Sequence, residues 1–141
     1  MKLTLEKKSI TAEACEVLIA AGKIAALEMG VPMVIAIVDE SGVLKAFVRM
    51  DGAAQLSVGL AQDKANTAIA FGIPTHEWHD FIKDDPPLLH GIVHTPRLVV
   101  FGGGYPIKVD GQVIGGIGVS GGHYSHDMKV AQAALAILDK A

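Results

Sequence analysis

Cysteine is almost absent from this sequence: Cys15 stands alone among 141 residues. That excludes the intrachain disulfide framework on which small secreted domains depend and suits a reduced compartment. Cys15 sits in a helical apolar pattern, so a buried thiol acting as a small apolar residue is the plain reading and a reactive thiol the sharper one. Charge is also scarce, at 19% of residues with a formal net charge of −3 and no run of Lys or Arg. Nucleic acid is therefore not an expected partner. No apolar stretch reaches the roughly 20 residues needed to span a bilayer. Residues 1–8 lack the apolar core of a secretory signal, so the expectation is a cytoplasmic protein with no membrane partner.

What is abundant is apolar side chain, half of the sequence, together with 16 glycines and six histidines. The length suits one domain over residues 1–141 with a single core. So little charge on a small domain points to further burial between copies, hence a homo-oligomer.

Ser9 or Thr11 can cap a first helix in which Ile10, Ala14, Val17, Leu18, Ala21, Ile24 and Ala25 recur at helical spacing, with Gly30 and Pro32 ending it. Residues 33–38 and 43–50 flank the turn Asp39-Glu40-Ser41-Gly42 and predict a hairpin. A second, alanine-rich helix is expected over residues 55–70, followed by a short helical piece from Pro74 that carries His76 and His79. Pro86 and Pro87 then open a loop to about Pro96, long enough to suggest function or a subunit contact. Residues 98–101, 107–109 and 112–119 predict three strands joined by short turns, and Ser125 can cap a last helix reaching Lys140. Short connections force antiparallel neighbours. The expected fold is α+β: one five-stranded antiparallel sheet with helices on both faces, in the order α-β-β-α-(α)-β-β-β-α. In the profilin- or PAS-like version preferred here, the first hairpin and the last strand are adjacent at the centre.

Gly116-Ile117-Gly118-Val119-Ser120-Gly121 satisfies GxGxxG between a strand and a helix. A dinucleotide site is nonetheless rejected, because it requires a βαβ unit and a second parallel strand. Two readings remain. Glycines 115, 116 and 118 can admit a close-packed helix or subunit, or Ser120, Gly121 and Gly122 can present a helix N-terminus to a carboxylate or phosphate. Asp127 in the first turn can already complement that end. Gly102, Gly103 and Gly104 make a second flexible rim for the same candidate pocket.

His76/His79 and His123/His126 are each spaced i, i+3, which puts both rings on one face if helical. Imidazole is the commonest metal ligand and an axial haem ligand, so these four are the candidate metal residues, with His94 a further ligand-site candidate and His90 nearby. An HxxH pair alone is short of a closed zinc site, and exposed or helix-capping histidines are the plainer alternative. Arg49 ends a strand and can grip a carboxylate, or else pair with a neighbouring Asp to fix its loop.

Three groups of segments together resemble the GlcG/HbpS-like family, which includes the C-terminal domain of PduO-type corrinoid adenosyltransferases. They are Ile37-Val38-Asp39-Glu40-Ser41-Gly42 with Arg49-Met50-Asp51-Gly52-Ala53; Asp63-Lys64-Ala65 running to Phe71-Gly72-Ile73-Pro74-Thr75; and Gly102-Gly103-Gly104-Tyr105-Pro106 with the 115–122 stretch and Asp127. The resemblance covers nearly the whole chain. It implies an αββα–βββα profilin-like fold, dimers or larger rings, and haem binding in some members. Other members are encoded beside glycolate, diol or glycerol metabolism. The leading expectation is thus a small accessory protein binding haem or a related tetrapyrrole, with a histidine among His76, His79, His94 and His123 near the ligand. The alternative is a small enzyme acting on a carboxylate or aldehyde through Arg49 or the Gly121–Gly122 loop, with a histidine as general base.

Overall fold

The computed structural model describes residues 1–140; Ala141, the last residue of the expected domain, lies outside them. Helix α1 (Ala12–Met29) starts where the Thr11 hydroxyl accepts the Ala14 N–H at 3.1 Å, and it ends at Gly30 in the left-handed conformation. Strands β1 (Val34–Asp39) and β2 (Leu44–Arg49) form the expected hairpin. Asp39 Oδ1 closes its turn by accepting the Ser41 and Val43 N–H groups. Helix α2 (Leu56–Phe71) follows, then a 3-10 turn (Thr75–Glu77) and two short helices, α3 (Trp78–Ile82) and α4 (Pro86–Gly91). Strands β3 (Gly104–Val109) and β4 (Gln112–Ser120) lead to helix α5 (Tyr124–Ala136).

The sheet is wholly antiparallel, in the order β2-β1-β4-β3, so the hairpin and the last strand do meet at its centre. Among the described residues it has four strands, not five. The apolar run 98–101 does not pair with a strand. The Val99 N–H instead donates to Thr67 Oγ1 on α2 at 3.0 Å, and that hydroxyl donates to the Arg97 carbonyl at 3.0 Å. A side chain supplies the partner that a fifth strand would have needed. Pro86 and Pro87 likewise open α4 rather than a loop, since proline is favoured in a first helical turn. Ser125 is not the cap of α5; His123 takes that role, with Nδ1 accepting the Ser125 N–H at 3.2 Å.

Strand β1 explains the core. Residues 34–38 are buried on both faces, as a continuous β-branched run in a central strand requires. Ile35 and Ile37 point to the side covered by α1 and α5, where Leu18, Ala26, Val130 and Ala134 complete the main cluster. Val34 and Ala36 point to α2 and meet Ala61. The helix α2 lies very close to β4: a Cβ on Gly116 or Gly118 would run into the Ala65 or Ala61 carbonyl. These glycines serve helix packing. Among the described residues, no helix is long and apolar enough to cross a membrane.

Candidate functional site

The register puts both glycine rims at one end of the sheet. Gly104 pairs with Gly118, and the Val119 N–H donates to the Gly103 carbonyl at 2.9 Å, so the 102–104 rim lies directly beside the strand end that leads to Ser120, Gly121 and Gly122. The histidine-bearing turn is tied to the same place. Thr75 is fully buried, and its hydroxyl accepts the Gly104 N–H at 2.9 Å.

Here a cleft of about 460 Å³ opens, lined by His76, His79, Asp80, Val100, Phe101, Gly102 and Tyr124, within the usual size of small-molecule sites. The Phe101 and Tyr124 ring centroids stand 6.3 Å apart with the rings inclined at 47°, and the His123 ring lies 4.1 Å from that of Tyr124, inclined at 36°. His76 and His79 are thus brought together in one wall, with His123 at the edge of another. The Nδ1 of His76 is buried and has no hydrogen-bond partner. Such an atom costs about 1–3 kcal/mol if left so, which marks His76 as a group still short of a partner. The Nδ1 of His123, by contrast, is occupied by the start of α5.

The other candidates are placed elsewhere. His94 ends an exposed 3-10 turn and His90 lies on exposed α4; neither lines the cleft. His126 is half-buried in the first turn of α5 against Gly122. Among the described residues, no three His, Cys, Asp or Glu side chains are grouped as a metal site. Arg49 is exposed on a separate concavity with Lys23, Leu27, Met50 and Asp51, and among the described residues it forms no ion pair. Ser120 is buried and its hydroxyl meets Ser57 at 3.1 Å, so it supports the approach of α2. The Gly122 N–H donates to Asp127 Oδ1 at 3.0 Å, so the start of α5 is complemented from within, and Gly121 packs over Met33.

Behind the cleft lies a pair whose two members stand in the segments that carry the family resemblance, but whose contact no spacing in the sequence shows. Lys64, on α2, has no exposed surface; its Nζ donates to Asp127 Oδ2 at 2.8 Å and to the Val119 carbonyl at 2.9 Å, and sits 5.2 Å from the Phe101 ring centroid. Gly103 covers the ammonium: a Cβ there would stand 2.6 Å from Nζ. Burial pulls the Lys64 pKa down, and the Asp127 carboxylate counteracts part of that. One cation therefore joins α2, the end of β4, the first turn of α5 and the aromatic wall. The sequence did carry a signal for it, since Lys64 falls on the same helical stripe as the buried Ala61, Ala65 and Ala68. Phe101 and Tyr124 were missed because an isolated aromatic has no spacing to read.

A family model described as "Haem degrading protein HbpS-like" matches residues 10–136. The corrinoid adenosyltransferase PduO of Salmonella typhimurium is 40% identical over 115 residues, which are 81% of this chain and 34% of PduO; the chain spans about a third of that relative's length. The Klebsiella pneumoniae protein ORFY superposes with a TM-score of 0.92 at 31% identity, over 100% of this chain and 98% of that one. A complex of PduOC with haem superposes with a TM-score of 0.84 at 37% identity, over 91% of this chain and 94% of that one.

Proposed function

We propose a function on one premise: this chain belongs to the HbpS-like family, whose model spans residues 10–136. The function is binding of haem or a related tetrapyrrole in the cleft between the His76–His79 segment and the first turn of α5. The observation that carries it is the cleft itself, which is lined together by the His76 and His79 imidazoles and the Phe101 and Tyr124 rings. The donor set fits the group. Aromatic rings suit the apolar face of a porphyrin, and neutral imidazole suits its iron. The haem complex of PduOC supports the reading.

When bound, the haem would supply iron-centred redox chemistry and a strong visible absorption. This chain's own part is to hold it. His76 is the first candidate ligand, with His79 and His123 as the other imidazoles within the cleft or at its edge. Phe101 and Tyr124 shield the ring from water. The Lys64–Asp127 pair keeps the two aromatic walls at a fixed separation. A cytoplasmic homo-oligomer linked to glycolate, diol or glycerol metabolism completes the proposal, and the similarity to the corrinoid adenosyltransferase PduO supports a corrinoid connection.

Titration of the purified protein with haemin tests it. A saturable Soret shift is expected for the wild type, with His76→Ala altering the band position or weakening uptake. Absence of any saturable shift beyond that of an unrelated protein would sink the reading.

A further inference from the structure

His76 and Tyr105 come from different parts of the fold, the turn after α2 and strand β3, yet each brings an unpaired polar atom to the same region. The His76 Nδ1 and the Tyr105 hydroxyl are both buried without a hydrogen-bond partner. Their rings stand 5.6 Å apart between centroids, inclined at 52°, and Tyr105 is only 8% exposed. Two unpaired atoms on rings in contact can be satisfied together, by rotation of the rings or through one shared water. The chemistry is matched, because a phenol both donates and accepts while a neutral imidazole has one N–H and one lone pair. Burial pushes the Tyr105 pKa above its ordinary value, a side-chain hydrogen bond with Gln132 opposes this and the Glu77 carboxylate adds to it. Gln132 thus stands near the phenol without the close geometry of a full bond, and the oxygen keeps capacity for His76. The Thr75–Gly104 hydrogen bond holds the two segments in register, one residue before each ring.

We propose that Tyr105 is the positioning residue of His76: its oxygen accepts a hydrogen bond from the Nδ1–H, directly or through one water, and so leaves the lone pair of Nε2 free to ligate. The ligating role rests on the haem reading; the Tyr105–His76 contact does not. A ligating histidine is generally held in this way through its second nitrogen, and removing the holder costs about 10–100-fold in metal affinity.

Long-range proton–nitrogen correlation spectra of the ligand-free protein test the contact, with His76 assigned by the loss of its signals in His76→Gln. The wild type is expected to carry the His76 proton on Nδ1, and Tyr105→Phe to lose that preference. In parallel, haemin titration of Tyr105→Phe should remain saturable but be about 10–100-fold weaker. A wild-type His76 protonated on Nε2 overturns the proposal without recourse to any variant, which covers the case of a poorly folded Tyr105→Phe. An unchanged tautomer in Tyr105→Phe overturns it too, as does a changed tautomer with unchanged haemin affinity. A wild type that takes up no haemin brings down the haem reading instead, and the tautomer spectra still decide the contact.

Discussion

Lys64 shows how much one residue can organise. A buried ammonium loses its hydration, and only the Asp127 carboxylate and the Val119 carbonyl replace it. Removing the lysine strands a buried carboxylate, and breaking such a pair costs about 3–5 kcal/mol. Lys64→Met should therefore lower unfolding stability by that amount in urea titrations. The double variant Lys64→Met/Asp127→Asn should cost clearly less than the sum of the singles, because the neutral amide still accepts the Gly122 N–H and no charge is left behind; additive losses would show that the two groups act independently. Cys15 gives a prediction with a pH sign. Burial raises its thiol above the ordinary 9.0. Above that pH the unfolded chain sheds a proton that the folded chain retains, so stability falls as pH rises toward the folded value. Cys15→Ala should lose less stability than the wild type between about pH 8 and about pH 10, measured by urea midpoints; parallel curves would refute a buried, protonated thiol. At this scale the sequence was legible where a residue type is odd for its spacing, as with His76 and His79. It was opaque where the partner comes from a distant element, as with Tyr105.

Helices and strands were easier to read than their contacts. The capping of α1, the hairpin turn and the fully apolar β1 all follow from neighbours within a few positions, so local sequence suffices. Residues 98–101 misled because a β-branched apolar run meets Thr67 on α2 rather than a strand, and only the tertiary fold decides between those partners. The glycines of β4 were read with two outcomes open, and the approach of α2 explains Gly116 and Gly118. A paired substitution checks this. Gly118→Ala should destabilise by about 1–3 kcal/mol, since its methyl meets α2 backbone that cannot yield cheaply. Gly59→Ala, on α2 with nothing within 4 Å of the added methyl, should stabilise by roughly 0.5–1 kcal/mol through helix propensity alone. If both changes prove neutral, β4 and α2 are not packed backbone to backbone.

For the whole molecule, the apolar composition leaves more than one core can absorb. Val17, Ile24 and Leu27 lie exposed along the outer side of α1, and Phe71 and Phe81 lie exposed around α3. Large apolar side chains standing near one another on a surface of low charge mark a contact face rather than ordinary scatter. A second copy of the chain is the expected cover, because the scarcity of charge that produces these faces is a property of every copy alike. Sedimentation equilibrium should give a mass that is a whole multiple of the chain's own. Leu27→Glu and Phe81→Glu then separate the two faces, since a charge buried in a subunit contact is far costlier than one facing water. The variant that lies in the interface shifts the equilibrium toward monomer, and the other leaves it in place. The Phe81 face lies on the same segment as His79, so dissociation by Phe81→Glu would also weaken haemin uptake at low protein concentration, whereas dissociation by Leu27→Glu would not. A wild type that sediments as a monomer at all concentrations would mean that these side chains remain in water and that the sparse charge of the sequence serves no assembly.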